Sequence, residues 1–348
     1  KQKGGEVGVG DGDDCEITLI RHEHSGSNTY TILDKHVDNE KRNKLNKLAI
    51  KITGFSKSLN DLVQDPALSH LGIFHAIDNS KNYMSRNYDV VVCSNMLRAI
   101  QTAILLFPNS KIYVIPYINE IAKPGIERVA TGKHRLPISK AELLPKISKT
   151  FEIFREDNFQ LLRSMFHEDE TVIEKLDEHQ QLYENFSGCE VNWDIYDIYE
   201  NRVNNEKDLF MPDMQKVFTE VMKDVLTKTT TGVERPKIAC VTHGFTIKSE
   251  SNPIGWLYYM KNKSNSNHSV MYATPTAQDD FNTNIFFRNS GSYSFSNCAS
   301  LRFVFNYAKH TFSELQCLFP KNLTDSYSCM YKGVKLEFNK QCRSNNQS

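Results

Sequence analysis

The chain predicts an α/β domain: a three-layer α/β/α sandwich on a mostly parallel sheet, with helices on both faces. Three observations predict it. Apolar runs at Ile17–Ile20, Val90–Cys93 and Lys237–Thr242 read as buried strands rather than as the alternating pattern of a half-exposed sheet. Each run ends on a polar cluster: Arg21-His22, Ser94-Asn95 and His243-Gly244. The carboxyl ends of strands are where open α/β sheets bind ligands. The 348 residues, 39% of them hydrophobic, suffice for a substantial core in one large domain or two smaller ones.

Taken in order, residues 1–14 carry five glycines among charges and read as a flexible tail, with the aspartates at 11, 13 and 14 solvated. Gly8-Val9-Gly10 is not followed by a helical pattern, so it is not a dinucleotide loop. After the first strand, Arg21, Ser25 and Asn28 gather cationic and hydrogen-bonding donors around the imidazole of His22. A nucleophile that accepts a phosphoryl group needs that company. Residues 39–52 form an amphipathic helix with Leu45, Leu48, Ala49 and Ile52 on one side. Lys41, Arg42, Lys44, Lys47 and Lys51 make its solvated face, part of which helps attract an anion. Asp65 and Pro66 cap or precede the next helix, and Gly72 eases close packing within it.

The second strand runs through Ser94 into a helix that carries Arg98 one turn in. From there a guanidinium can return over the helix N-terminus, where backbone N–H groups and the helix dipole favour anions. Its planar fork suits two phosphate oxygens at once. A strand at Lys111–Ile115 follows, then Pro116 and the segment Ile118-Asn119-Glu120-Ile121. Residues 123–210 read as a charged, helical insertion over the site, with helical stretches at 139–166 and 170–186. The last strand of the site ends at His243-Gly244, where Gly244 permits close backbone approach. Residues 301–307 and 329–338 alternate apolar and polar and are expected to extend the sheet.

These motifs, in this order, resemble the histidine phosphatase superfamily, also called phosphoglycerate mutase-like. Arg21-His22-x-x-Ser25-x-x-Asn28 is similar to its first signature. Ser94, Arg98, Ala99, Gln101, Thr102 and Ala103 resemble its Ser-x-x-x-Arg-Ala-x-Gln-Thr-Ala element, and His243-Gly244 its second histidine. Asp65 to Ala76 resembles its Asp-x-x-Leu-Thr-x-x-Gly-x-x-Gln-Ala element, with Ser69 for Thr and His75 for Gln as mild departures. Ile118-Asn119-Glu120-Ile121 is similar to the Leu-Asn-Glu-Ile of fructose-2,6-bisphosphatases. Ile285–Phe295 resembles a late strand pair around an Asn-x-Ser turn. Glu23 and His24 stand where the family commonly has Gly-Glu, so Glu23 either lies outside the phosphate pocket or weakens anion binding, and His24 is read as an adaptable loop residue. Because Gly, not Asp, follows His243, the resemblance is to the mutase and bisphosphatase branch rather than to acid phosphatases and phytases.

The resemblance implies a catalytic domain over 15–310, the insertion at about 123–210 within it, and an extension of unknown role over 311–348. It implies His22 as nucleophile, Glu120 as proton donor with Glu127 as competitor, and Arg21, Arg98 and His243 around the transferring group. Ser25, Asn28 and Gly244 join the phosphate-binding set. Lys123, Arg128, Lys133, His134 and Arg135 are candidates for a second phosphate or carboxylate on the substrate. The activity implied is phosphomonoester hydrolysis through a phosphohistidine, on a small phosphorylated substrate or a phosphoprotein, without metal or organic cofactor. Mutase-type phosphoryl transfer, or a binding or scaffold protein that keeps the pocket, are the alternatives; the substrate and the oligomeric state stay open.

Composition points the same way by exclusion. The 42 basic and 42 acidic residues balance, so nothing global favours nucleic acid or an anionic membrane. The eight cysteines contain no C-x-x-C pair, which argues against zinc, and Cys93 and Cys240 fall in buried strands as core residues. No apolar run approaches the ~20 residues of a spanning helix, and no signal-peptide pattern is visible, although the chain begins at Lys1 and an upstream segment is left open. Four sequons begin at Asn185, Asn262, Asn267 and Asn322, yet a reducing, cytoplasmic setting is expected.

Overall fold

A computed structural model describes residues 14–26, 65–120, 139–152, 189–204, 207–210, 213–230, 232–248, 297–298, 300–308, 311–318, 328–331 and 334–337, with single helical positions at 160, 174 and 177. Outside the described residues lie residues 1–13 of the tail expected over 1–14, Asn28, the stretch 39–52, Lys123 to Arg135 with Glu127, 285–295 and the four sequons; Asp14, expected in the tail, instead begins the first strand and accepts from Asn306.

The expected α/β architecture is present. Its sheet contains β1 (Asp14–Arg21), β2 (Val90–Ser94), β3 (Lys111–Ile115), β4 (Glu190–Asn192), β5 (Lys237–Thr242), β6 (Ser300–Asn306) and β7 (Thr311–Leu318). The strand order is β4-β3-β2-β5-β1-β6-β7. The pairs β1–β5, β5–β2, β2–β3 and β3–β4 are parallel, and β1–β6 and β6–β7 are antiparallel. The central strands β2 and β5 are mostly apolar because both faces are covered; every residue of β2 is buried.

The helices are α1 (His70–Met84), α2 (Leu97–Leu106), α3 (Lys140–Phe151), α4 (Asp194–Glu200), the short α5 (Lys207–Phe210), α6 and α7 (Gly244–Lys248). Here α6 is the run Met214–Lys216, a π-helical turn Val217–Val221, and Met222–Thr229. All ten residues of α2 are buried, between β2, β3 and β5 on one side and α1 and α3 on the other. A helix buried all round must find partners for its polar residues. Gln101 supplies Oε1 to the Leu68 N–H at 2.8 Å and Nε2 to Thr150 Oγ1 at 3.0 Å, which ties α2 to α3. Thr102 Oγ1 donates to the Arg98 carbonyl at 2.7 Å and accepts from the Glu23 N–H at 3.0 Å. Across the sheet, Phe218 of α6 packs edge-on against Phe303 of β6 with ring centres 5.6 Å apart.

Three expectations need correction. The segment 123–210 is not purely helical, since it contributes β4, which pairs with β3 at the sheet margin. Three residues, Glu190-Val191-Asn192, are too short for a periodic signal, and β3 supplies the missing backbone partners. The boundary at 310 falls inside the β6–β7 hairpin, so the sheet continues to Leu318. Residues 301–307 do extend the sheet, whereas β8 (Ser328–Tyr331) and β9 (Val334–Glu337) form a separate two-stranded pair among the described residues. Alternation identifies a strand but not which strand it joins.

Candidate active site

Parallel register brings the three polar strand ends to one level. Arg21 pairs with Thr242, and Cys93 of β2 pairs with Val241. The His22 N–H then donates to the Thr242 carbonyl at 2.8 Å, so the two histidines emerge side by side with ring centres 5.1 Å apart. Both are buried.

The proton on His22 is fixed by its neighbours. Its Nδ1 lies 2.7 Å from the Glu23 carbonyl oxygen, which only accepts, so Nδ1 carries hydrogen. Its Nε2 lies 3.1 Å from Arg98 Nε, which only donates, so Nε2 presents a lone pair. Burial, then the charges of Arg98 and Arg21, push the His22 pKa well below its ordinary value. The imidazole is therefore neutral at physiological pH with Nε2 as its basic atom.

Arg98 is the hub. Its Nη2 lies 2.6 Å from Glu120 Oε2, and its Nη1 lies 3.5 Å from Asp65 Oδ1. Asp65 also accepts the Leu97 N–H with both oxygens, at 2.9 and 3.0 Å. It therefore binds the first N–H of α2 and precedes α1, whose cap is Ser69, accepting the Gly72 N–H at 3.1 Å. A carboxylate at the start of α2 complements the helix dipole and orients the arginine one turn in. Asp65 pays for this double role in backbone strain, with φ at 44°, in the left-handed region.

Glu120 arrives on the loop after β3. Tyr117 in that loop also has positive φ, at 64°. It is held there by its N–H donating to the Leu209 carbonyl at 3.0 Å and its carbonyl accepting from Asp213 at 2.9 Å. Two threonines flanking His243 then pin the next two residues. Thr242 Oγ1 donates to the Ile118 carbonyl at 2.7 Å, and Thr246 Oγ1 to the Asn119 carbonyl at 2.6 Å. Donor atoms of His22, Glu120 and His243 consequently lie within 4.8 Å of one another. That spacing would accommodate a metal ion, but Arg98 contacts two of the three and the charge of Arg21 bears on both histidines, so the site's electrostatics favour an anion.

His243 bonds through Nε2 to Ser94 Oγ at 2.9 Å, and its Nδ1 has no hydrogen-bond partner among the described residues. Burial, then Arg98, His22 and Arg21, push its pKa well down. A Cβ at Gly244 would stand 3.0 Å from Arg21 Nε and 3.1 Å from Cδ, so the glycine clears the path of the Arg21 side chain. Ser25 is buried and forms a bridge with Leu68, tying the first loop to the start of α1.

The departures at positions 23 and 24 are linked to those at 69 and 75. The Glu23 carboxylate faces away from His22: it accepts the His24 N–H at 3.1 Å and lies 3.7 Å from His75 Nδ1. His24 is not an adaptable loop residue. It is buried, with Nδ1 bonded to Ser69 Oγ at 2.8 Å and its carbonyl accepting from the Ser69 N–H at 2.9 Å. A Cβ on Gly72 would come within 2.0 Å of that carbonyl oxygen, so α1 reaches His24 only because residue 72 is glycine.

Two residues that the sequence reading passed over support the site. Asn119, the neighbour of Glu120, lies with its side-chain amide 2.7 Å from Ser94 Oγ, in hydrogen-bond contact. Asn297 Nδ2 donates to the His22 carbonyl at 3.1 Å, and the Cys298 N–H to the Arg21 carbonyl at 3.0 Å. The signal for Asn119 was its place inside the Ile-Asn-Glu-Ile segment; for Asn297 it was only an Asn-Cys turn before a strand.

No protein-family description matches the chain, and no curated protein matches its sequence. Among solved structures it is similar to a phosphoserine phosphatase of Entamoeba histolytica in complex with 3-phosphoglyceric acid, at 14% identity and TM-score 0.33, covering 88% of this chain and 95% of that one. It is similar to the ecdysone phosphate phosphatase of Bombix mori in complex with tungstate, at 15% identity and TM-score 0.40, covering 88% and 93%. A phosphoglycerate mutase of Bacillus anthracis str. Sterne has 10% identity and TM-score 0.32, covering 88% and 94%.

Proposed function

We propose that the chain is a phosphomonoester hydrolase of the histidine phosphatase type. The observation that carries this reading is His22 Nε2, a lone pair on a neutral imidazole, held beside Arg98 with Glu120 and His243 within reach. In the first step Nε2 attacks phosphorus while the bond to the leaving oxygen breaks. Glu120 gives its proton to that oxygen. In the second step water attacks the phosphohistidine, Glu120 takes the proton, and the P–N bond breaks to release inorganic phosphate. Arg98, Arg21 and His243 stabilise the charge on the equatorial oxygens, with Ser25, Asn28 and Gly244 completing the cradle. Substrate entry transfers the Arg98 N–H groups from Glu120 and His22 to phosphoryl oxygens, which frees both for chemistry. The substrate is a small phosphorylated molecule or a phosphoprotein, and residues 15–318 form the catalytic unit.

The test is hydrolysis of a chromogenic aryl phosphate with rapid-quench trapping of an acid-labile, base-stable phosphoenzyme. Phosphate release without a phosphoenzyme, or no release from any phosphomonoester, would overturn the reading. Phosphoenzyme that passes its group to an added alcohol faster than to water marks a mutase instead.

A further inference from the structure

We propose that Ser94 and Asn119 are positioning residues that set the proton of His243, making its neutral imidazole an Nδ1–H donor to a phosphoryl oxygen. This deepens the phosphatase reading and rests on it.

The hydrogens and lone pairs at one hydroxyl fix the choice. Ser94 Oγ has one hydrogen and two lone pairs. The Met96 N–H takes one lone pair, at 3.3 Å. One hydrogen and one lone pair then remain for two partners, Asn119 at 2.7 Å and His243 Nε2 at 2.9 Å. One partner must donate and the other accept. If the Asn119 oxygen accepts, Nε2 must carry hydrogen, and a neutral His243 turns the lone pair of Nδ1 on an incoming phosphoryl oxygen. If the Asn119 amide is turned so that Nδ2 donates, Ser94 donates to Nε2, and Nδ1 carries the hydrogen.

Three features favour the second arrangement. Asn119 Nδ2 is buried with no hydrogen-bond partner among the described residues, so turning the amide forfeits no bond. The two ends of an amide are a choice made by the hydrogen-bond network. His243 Nδ1 is likewise buried and unpartnered, which suits an atom reserved for a ligand. A doubly protonated His243 is disfavoured by its burial beside Arg98, Arg21 and His22. Thr246 Oγ1 also donates to the Asn119 carbonyl, so the same segment that carries His243 holds its proton-setting partner.

The experiment is nitrogen-15 NMR of the full chain labelled at histidine, with His243 assigned by a His243→Gln variant, before and after addition of inorganic phosphate. The expected spectrum has His243 protonated at Nδ1 and bare at Nε2, with the Nδ1 signal moving on phosphate addition. Ser94→Ala should lose the single tautomer and lower kcat on an aryl phosphate about tenfold or more with KM little changed, because orientation of one transition-state donor is lost. Ser94→Thr keeps the hydroxyl and should restore both. Asn119→Ala should also blur the tautomer. A wild-type His243 protonated at Nε2, or a tautomer unmoved by Ser94→Ala or Asn119→Ala, overturns the proposal. An inactive chain with the expected tautomer would sink the phosphatase reading alone; an active one with the opposite tautomer would sink only this inference.

Discussion

The surroundings of His22 and His243 differ although both rings are buried and both are held neutral by burial and by Arg98 and Arg21. His22 is gripped by groups of one polarity each, a carbonyl at Nδ1 and a guanidinium at Nε2. His243 is gripped by a hydroxyl, which donates or accepts as its own neighbours dictate. Groups of fixed polarity lock a ring outright, as suits a nucleophile. An amphoteric partner passes the decision to the next residue.

The largest effect expected from breaking this contrast is at His22. His22→Ala should remove turnover and the trapped phosphoenzyme together while the circular dichroism spectrum stays native; turnover at the wild-type rate would place the nucleophile elsewhere. Arg98 touches the locked side, so Arg98→Ala should cost at least ~100-fold in kcat, by analogy with loss of one transition-state donor. Arg98→Lys should recover little, because a point charge cannot reach His22, Glu120 and Asp65 at once as the fork does. An Arg98→Lys enzyme with near-normal kcat on an aryl phosphate would reduce the hub to a simple charge.

Glu120 gives a graded test. With an alkyl phosphate the leaving oxygen needs a proton, and Glu120→Gln should cost ~100-fold or more; with nitrophenyl phosphate it should cost little. Equal losses on both would make the residue structural and pass the acid's role to Glu127.

A smaller and global effect follows from protonation. His22, His24 and His243 have folded pKa values below the ordinary 6.5, that of His24 lowered to about 3. Each is neutral in the folded chain and gains a proton on unfolding below pH 6.5. Their contribution is complete above that pH and is lost as pH falls from 6.5 toward each folded value. The urea midpoint should therefore drop steadily from pH 7 to pH 5, and His24→Asn should flatten part of that slope. An unchanged midpoint across the range would mean that the rings are not buried as described.

Much of this was legible in the residues. Apolar runs long enough to be buried strands, each ending on Arg-His, Ser or His-Gly, identified β1, β2 and β5 and the level of the site, because a central parallel strand needs no surface pattern. The order of the motifs already implies that His22, Arg98, Glu120 and His243 share one pocket. β4 escaped notice because three residues carry no period, and Asn297 because an asparagine in a turn has no spacing to mark it.

What the sequence determined by itself was the candidate set of polar side chains and the strands that lead to them. Only the tertiary structure decided polarity and partnership. It showed Asp65 bonded to the start of α2, Glu23 turned toward His75, and His24 built into the packing against Gly72. The physical reason is range. Strand and helix patterns are local and leave a trace within a few residues. A hydrogen bond between side chains 33, 76 or 149 positions apart leaves none, because either partner alone looks like an ordinary polar residue until the sheet sets them side by side.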